Sequence, residues 1–254
     1  MSVKDKVVVV TGAARGIGRA VSERLIAGGA KVVWADIDIS GIEETDSSLA
    51  VKCDVAQPAD VAAVVEKAVA TFGRIDGLVN NAGIIKAGDF LDYPIEDFDR
   101  VLGINLRGAF VMGQAVARQM VKQIEAGGTP SVIVNMSSIN SVVGIPNQLG
   151  YCVSKGGIAQ LNRVMALALA QHGIRVNAVG PGSIMTDILA STMKDPSAKH
   201  KILIRTPIGR VGEPDEVAQV TEFLLSEASS YITGETIFCD GGRLAQNYAL
   251  TLPQ

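Results

Sequence analysis

The sequence predicts an α/β fold, a parallel β-sheet covered by helices on both faces, in one domain over residues 1–254. Three observations carry this. Short β-branched runs alternate with longer segments of helical period, the pattern of repeated βαβ units. The short runs are nearly continuous in apolar residues, as strands buried on both faces must be. The composition agrees: 48% hydrophobic residues, only 4% aromatic ones and 27 glycines describe a core of Val, Ala, Leu and Ile closely approached by backbone turns. A domain of 254 residues buries about 70–75% of its unfolded-chain surface, so a substantial core needs no staples.

About seven strands are expected, centred on Val7–Val10, Val32–Ala35, Leu49–Cys53, Gly77–Asn80, Val132–Asn135, Val176–Val179 and Thr236–Phe238. Between them, Val61, Val64, Val65, Ala68, Val69 and Phe72 mark one amphipathic helix, with Gly73 as its C-terminal stop. Leu106, Phe110, Ala117, Met120 and Ile124 mark a longer helix, in which Gly113 lets a neighbouring element come close. Val217, Val220, Thr221, Leu224 and Leu225 repeat the pattern after the helix start Pro214-Asp215. The stretch 183–212, with Pro196, Pro207 and Gly209, reads as an irregular loop long enough to act as a substrate lid.

Several function classes are disfavoured. Net charge is −3 and no Lys/Arg run exceeds two residues, so no basic patch for nucleic acid is expected. The apolar run in "MSVKDKVVVVTG" is too short for a signal segment or a membrane span, and a cytoplasmic protein is expected. Cys53, Cys152 and Cys239 are widely spaced, with no CxxC and only His172 and His200 beside them, so neither a disulfide framework nor a metal site is suggested.

The first turn points to a dinucleotide. In "VVVVTGAARGIGRA" a strand meets a helix through Gly12, Gly16 and Gly18, and glycines there let backbone N–H groups approach a pyrophosphate at a helix N-terminus. The spacing differs from the common G-x-G-x-x-G fingerprint. The second strand, "KVVWADID", ends in Asp36, eighteen residues beyond Gly18, where a carboxylate can accept both ribose hydroxyls of NAD and repel a 2′-phosphate. Arg15 is a counter-signal, since its guanidinium could pair that phosphate. No Arg or Lys closely follows Asp36, so NAD is expected over NADP.

Five segments taken together resemble the short-chain dehydrogenase/reductase family, in its branch of roughly 250 residues. They are "TGAARGIG" (11–18), "NNAG" (80–83), Asn105 in "GINLRG", Ser138 in "NMSS" with Tyr151-x-x-x-Lys155 thirteen residues on, and "PGSIMT" (181–186). They span nearly the whole chain, and no single one would suffice. The resemblance implies a Rossmann-like doubly wound sheet in the order 3-2-1-4-5-6-7 and a homotetramer. It also implies that Gly12, Arg15, Gly16, Ile17 and Gly18 surround the pyrophosphate and that Asp36 takes the ribose. Asp54 and Val55 would contact the adenine, Asn81 the cleft wall, and Ile184 and Thr186 the nicotinamide carboxamide, while Tyr151 and Lys155 also touch the cofactor. The alternative for Asp54 is a cap on a helix entering at Pro58, and the adenine role is the favoured one.

The implied catalytic set is Asn105, Ser138, Tyr151 and Lys155. A tyrosine has an ordinary pKa near 10, so its use as a base near neutral pH asks for a fall of about 2–3 units, or about 3–4 kcal/mol. Lys155, four residues on and so on the same helix face, is expected to supply a large part of that fall as a nearby positive charge. Ser138 would hold the substrate oxygen, and Asn105 would hold a water that links Lys155 to solvent. Cys152 invites a thiolate alternative, but His172 lies about 30 Å further along the same expected helix and cannot serve as its base, so Cys152 is expected to be a small buried side chain.

Substrate residues are the least specified. Ser138, Asn140, Asn147, Gln148 and Lys86 could line the site and suit a polyhydroxylated small molecule, or equally lie in surface loops. The first expectation is oxidation of a secondary alcohol or hemiacetal in a sugar, polyol or other small hydroxy compound. The tail "GGRLAQNYAL" resembles that of some bacterial sugar dehydrogenases. The alternatives are an NADPH-dependent 3-oxoacyl carrier-protein reductase, with Arg107 and Arg118 as carrier-docking candidates, and a non-catalytic dinucleotide sensor.

Overall fold

The computed structural model describes residues 2–247, so the last three residues of the tail segment Gly241–Leu250 lie outside the described residues. All seven expected strands form, as β1 (Val7–Thr11), β2 (Lys31–Asp36), β3 (Ser48–Lys52), β4 (Gly77–Asn80), β5 (Val132–Met136), β6 (Arg175–Pro181) and β7 (Thr236–Cys239). Every pairing is parallel, and the spatial order is β3-β2-β1-β4-β5-β6-β7. The order reverses between β1 and β4. At such a switch point the connecting helices leave to opposite faces, and a crevice opens at the carboxyl ends of the strands.

The four-valine run of β1 shows how the sheet is held. Val7 and Val9 point into one core, and Val8 and Val10 into the other, all but fully buried. Burying a valine contributes roughly 1.5–3 kcal/mol relative to leaving it exposed, and with apolar layers on both faces all four valines of the strand do so. The first layer packs under α2 (Pro58–Phe72), α4 (Gly108–Glu125) and α5 (Leu149–Leu169); the second packs under α1 (Gly16–Ala27) and α8 (Pro214–Leu225). Helix α2 stops where expected, with Gly73 left-handed at φ 80° and its N–H bonded to the Val69 carbonyl. Helix α8 starts where expected, with a reciprocal capping box between Glu213 and Glu216. Gly113 of α4 admits Met165 of α5: a Cβ there would lie 2.9 Å from the methionine Cε.

Three expectations need correction. The long helix is entered earlier than its apolar spacing suggested, through α3 (Ile95–Leu102) and a π turn over Gly103–Arg107 that runs directly into α4. Phe110, taken as a core marker of that helix, is 46% exposed, because it lies on the face turned away from the sheet. The stretch 183–212 is not irregular. It carries α6 (Asp187–Thr192) and α7 (Pro196–Leu203), and Pro196, read as a loop signal, occupies the first helical turn behind the Asp195 cap, whose side chain accepts the Ser197 N–H. The neck of this excursion is closed by an isolated bridge, Ile184 to Gly212, with Gly212 N–H donating to Ser183 O (2.9 Å) and Met185 N–H to Gly212 O (2.8 Å).

Candidate active site

The sequence-predicted residues collect along the carboxyl edge of the sheet. At the end of β1, Gly12 (φ +63°) and Gly16 (φ +56°) take left-handed conformations that suit glycine. A Cβ on Gly18 would lie 2.1 Å from Gly12 O and 2.5 Å from Asn81 Nδ2, so the turn exists only with glycine there. Helix α1 begins behind Arg15 with no side-chain cap, so its first N–H groups stay available to an anion. Asn81 braces the turn from β4, donating from Nδ2 to Thr11 O and Gly12 O at 3.0 Å each. Thr11, which sequence reasoning passed over, completes the brace: its Oγ1 accepts the N–H groups of Asn81 and Ala82 at 3.0 Å. Nothing in a single threonine at a strand end signals this.

Asp36 closes β2. Its Oδ2 accepts the Ala14 N–H (2.9 Å) and its Oδ1 the Asp38 N–H (3.2 Å), which fixes the carboxylate against the glycine turn. The exposed Arg15 helps hold Asp38 below the usual carboxylate range, although the hydrogen bonds from Ser40 are the larger cause. Asp54 lies past β3 with Oδ1 accepting the Ala56 N–H, and the cap position of α2 belongs to Gln57. Val55 is buried against Gly108 at the start of α4. Ile184 is buried in the neck bridge, and the Thr186 side chain reaches van der Waals distance, 3.4 Å, from a Cβ placed on Gly16. The glycine cradle, the uncapped helix start, the carboxylate at the second strand end and Thr186 across from them fit a dinucleotide.

Ser138 lies two residues beyond β5 and caps a short 3₁₀ turn, accepting the Asn140 N–H at 3.1 Å. Tyr151 and Lys155 stand on the first turns of α5. Lys155 is buried, with Nζ donating to Met136 O at 2.7 Å and lying 5.4 Å from the centre of the Tyr151 ring. Burial pushes its pKa down to about 8. Tyr151 is half-buried. Burial pushes its hydroxyl above its ordinary value, the hydrogen bond with Ser138 opposes the rise, and the neighbouring Cys152 adds to it. In the protein without cofactor burial therefore outweighs the lowering expected from Lys155, and the net shift of Tyr151 is upward. Both groups share one desolvated site, and desolvation penalises the phenolate and the ammonium alike.

Asn105 sits in the π turn, fully buried. Its Oδ1 accepts the Ile84 N–H (2.8 Å), and its Nδ2 donates to Ile84 O (2.9 Å) and to Ser154 Oγ (3.0 Å). Both amide protons of Asn105 are thus committed to protein acceptors, and Oδ1 keeps one lone pair beyond the Ile84 N–H. Among the substrate candidates, Asn140 is 6% exposed and donates from Nδ2 to Gln148 Oε1 (2.9 Å) and to Cys152 Sγ (3.5 Å). Cys152 is half-buried rather than buried, and borders the same cluster. Lys86 turns to Asp97, at 3.8 Å. The backbone carbonyl of Asn147 accepts the Gly88 N–H, which ties two loops at the rim. Among the described residues no cluster of His, Cys, Asp or Glu could hold a metal, and no helix is long and apolar enough to cross a membrane.

The family model described as enoyl-(acyl carrier protein) reductase matches residues 12–243. An L-rhamnose 1-dehydrogenase (NAD(P)(+)) of Sphingomonas sp. is 40% identical over 248 residues, covering 94% of this chain and 96% of the relative. The chain belongs to the short-chain dehydrogenase/reductase family. A 3-oxoacyl-[acyl-carrier-protein] reductase FabG of Thermotoga maritima is 41% identical over 251 residues, covering 95% and 99%. The crystal structure of a 3-ketoacyl-(acyl-carrier-protein) reductase from Brucella melitensis, complexed with NADH, superposes with a TM-score of 0.87 at 36% identity, covering 95% and 99%. This short-chain dehydrogenase/reductase is thus an NAD(P)-dependent oxidoreductase that acts on CH–OH groups of a small-molecule substrate.

Proposed function

We propose that the protein is an NAD-dependent dehydrogenase of a sugar, polyol or other small hydroxy compound, with Tyr151 as the general acid/base. The observation that carries this is the convergence of Ser138, Tyr151 and Lys155 in one desolvated corner where β5 meets α5. In this reading Gly12, Gly16, Ile17 and Gly18 hold the pyrophosphate beside Arg15. Asp36 takes the ribose, Asp54 and Val55 the adenine side, and Ile184 and Thr186 the carboxamide, with Asn81 bracing the wall. A bound nicotinamide supplies the hydride acceptor or donor. Ser138 Oγ holds the substrate oxygen, and Tyr151 Oη takes its proton during oxidation and returns it during reduction. Lys155, tethered by Met136 O, stabilises the phenolate; a charge on the oxidised cofactor acts in the same sense and opposes the rise that burial imposes. Asn105 fixes the backbone at which the proton leaves toward solvent.

Substrate class follows from donors and acceptors. Asn140 spends its Nδ2 on Gln148 and Cys152, which leaves Oδ1 as an acceptor, while Gln148 spends Oε1 and keeps Nε2 as a donor. One acceptor beside one donor matches a hydroxyl, which can do both, better than a ketoester, which only accepts. Lys86, paired with Asp97, enters this reading only at the rim. A second reading, reduction of a 3-oxoacyl carrier-protein thioester with NADPH, is favoured by the Thermotoga relative. Arg107, which donates to Ala56 O, and Arg118 would then dock the carrier. A homotetramer in the cytoplasm completes the proposal; exposed Phe110 on α4 and Val164 and Leu167 on α5, together with three free cysteines, support it. The stretch 183–212, hinged at its bridged neck, is proposed as the lid.

The test is a panel of sugars, polyols and hydroxy acids with NAD and NADP, and of β-ketoesters with NADH and NADPH, followed by the absorbance of the reduced cofactor. Turnover of polyhydroxylated compounds with NAD is expected. Exclusive turnover of β-ketoesters with NADPH would select the second reading.

A further inference from the structure

Ser154 lies between the two reacting residues in sequence, one position before Lys155, and is fully buried. Its Oγ donates to the Tyr151 carbonyl at 2.7 Å and accepts from Asn105 Nδ2 at 3.0 Å. A serine within a helix commonly bonds back to a carbonyl of the preceding turn, and by itself such a bond means little. Here the acceptor carbonyl is that of Tyr151, whose ordinary helical donor is the N–H of Lys155, four residues on. The same hydroxyl is the polar link from α5 to the Asn105 amide, which in turn clamps Ile84 beyond β4 by two hydrogen bonds. One hydroxyl thus joins the π turn, the loop after β4 and the backbone that aims both Tyr151 and Lys155.

We propose that Ser154 is a positioning residue for the reaction, acting through Asn105 and the Tyr151 backbone; this rests on the reading of Tyr151 and Lys155 given above. Without its hydroxyl, Asn105 Nδ2 keeps a buried N–H with no acceptor, and the π turn relaxes against α5. A displacement of up to 1 Å at a reacting group can cost about 100-fold in rate, and a partial one about ten-fold.

The experiment compares Ser154→Ala with the parent in kcat, KM, NADH affinity and the pH dependence of kcat. Expected are a fall in kcat of about ten-fold, KM and NADH affinity within about two-fold, and an acid limb of the pH profile displaced upward by about half a unit or more, because Tyr151 and Lys155 no longer hold their spacing. A purely structural role would lower the melting temperature without moving the profile. Turnover within two-fold of the parent and an unmoved profile overturn the proposal, whatever the melting temperature. Should Ser154→Ala not fold, Ser154→Thr and Ser154→Val, alike in size and differing in the hydroxyl, make the same comparison, and equal turnover of the two overturns it. Tyr151→Phe measured in parallel separates the two levels. An active Tyr151→Phe protein sinks the reading of the reacting group, whereas an inactive one beside a parent-like Ser154→Ala protein sinks only the role of Ser154.

Discussion

Replacing Lys155 by methionine keeps most of the side-chain volume and removes a buried ammonium. Burial moves this group from 10.5 to about 8 in the folded protein without cofactor, a difference of about 2.5 units, so holding the charge at neutral pH costs about 3 kcal/mol. The folded value lies below the unfolded one, so the cost is present in full below about pH 8 and is relieved as pH rises from about 8 toward 10.5. Between pH 6.5 and 9 this one group should raise the stability of the parent by about 1 kcal/mol. Burial also pushes the Cys53 and Cys239 thiols up, to about 12 and about 11, and they oppose the gain as they ionise first in the unfolded chain. Both proteins carry them, so they cancel in the difference. Urea unfolding of parent and Lys155→Met without cofactor, at pH 6.5 and at pH 9, is the assay. The variant should be the more stable at pH 6.5, even after losing the bond to Met136 O, and the gap should move toward the parent by about 1 kcal/mol or more at pH 9. A gap that is the same at both pH values refutes the description of Lys155 as a desolvated ammonium.

Gly18→Ala should weaken NADH binding about ten-fold or more, read by fluorescence titration, because its Cβ falls 2.1 Å from Gly12 O and the turn has to open; unchanged affinity would remove the glycine cradle from the cofactor site. Asp36→Ala should lower the ratio of kcat/KM for NAD over NADP by about ten-fold, since the carboxylate that repels a 2′-phosphate is gone, and a preserved ratio would show that Asp36 does not choose the cofactor. Thiol labelling of the native protein at pH 8 should spare Cys53, which is 2% exposed and pushed up to about 12, and a Cys53 that labels as fast as free cysteine would contradict its place in the core.

What could be read from the sequence follows from which forces are local. Strands such as Val7–Thr11 declare themselves because burial on both faces demands unbroken apolar runs, and the ends of α2 and α8 because Gly73 and Pro214 act on their own backbone. Helix α7 was hidden because Pro196 signals a break or a first turn equally well, and the Asp195 cap decides between them only once the chain has turned. The π turn was hidden because no local pattern distinguishes it from an ordinary helix. At the site, residue types and spacing marked Tyr151 and Lys155, but not the balance of their charges, which depends on how deeply both are sunk. The hydrogen bonds of Ser154 and Thr11 carry no signal in sequence, since their partners lie 49 and 70 residues away.

The central claim is that a proton passes through Tyr151, and single-turnover kinetics of Tyr151→Phe on whichever substrate the panel identifies test it most directly. Loss of the hydroxyl should slow the chemical step by about 10²–10⁴-fold while NADH affinity stays within a factor of about two. A Tyr151→Phe protein that turns over within two-fold of the parent would contradict the account.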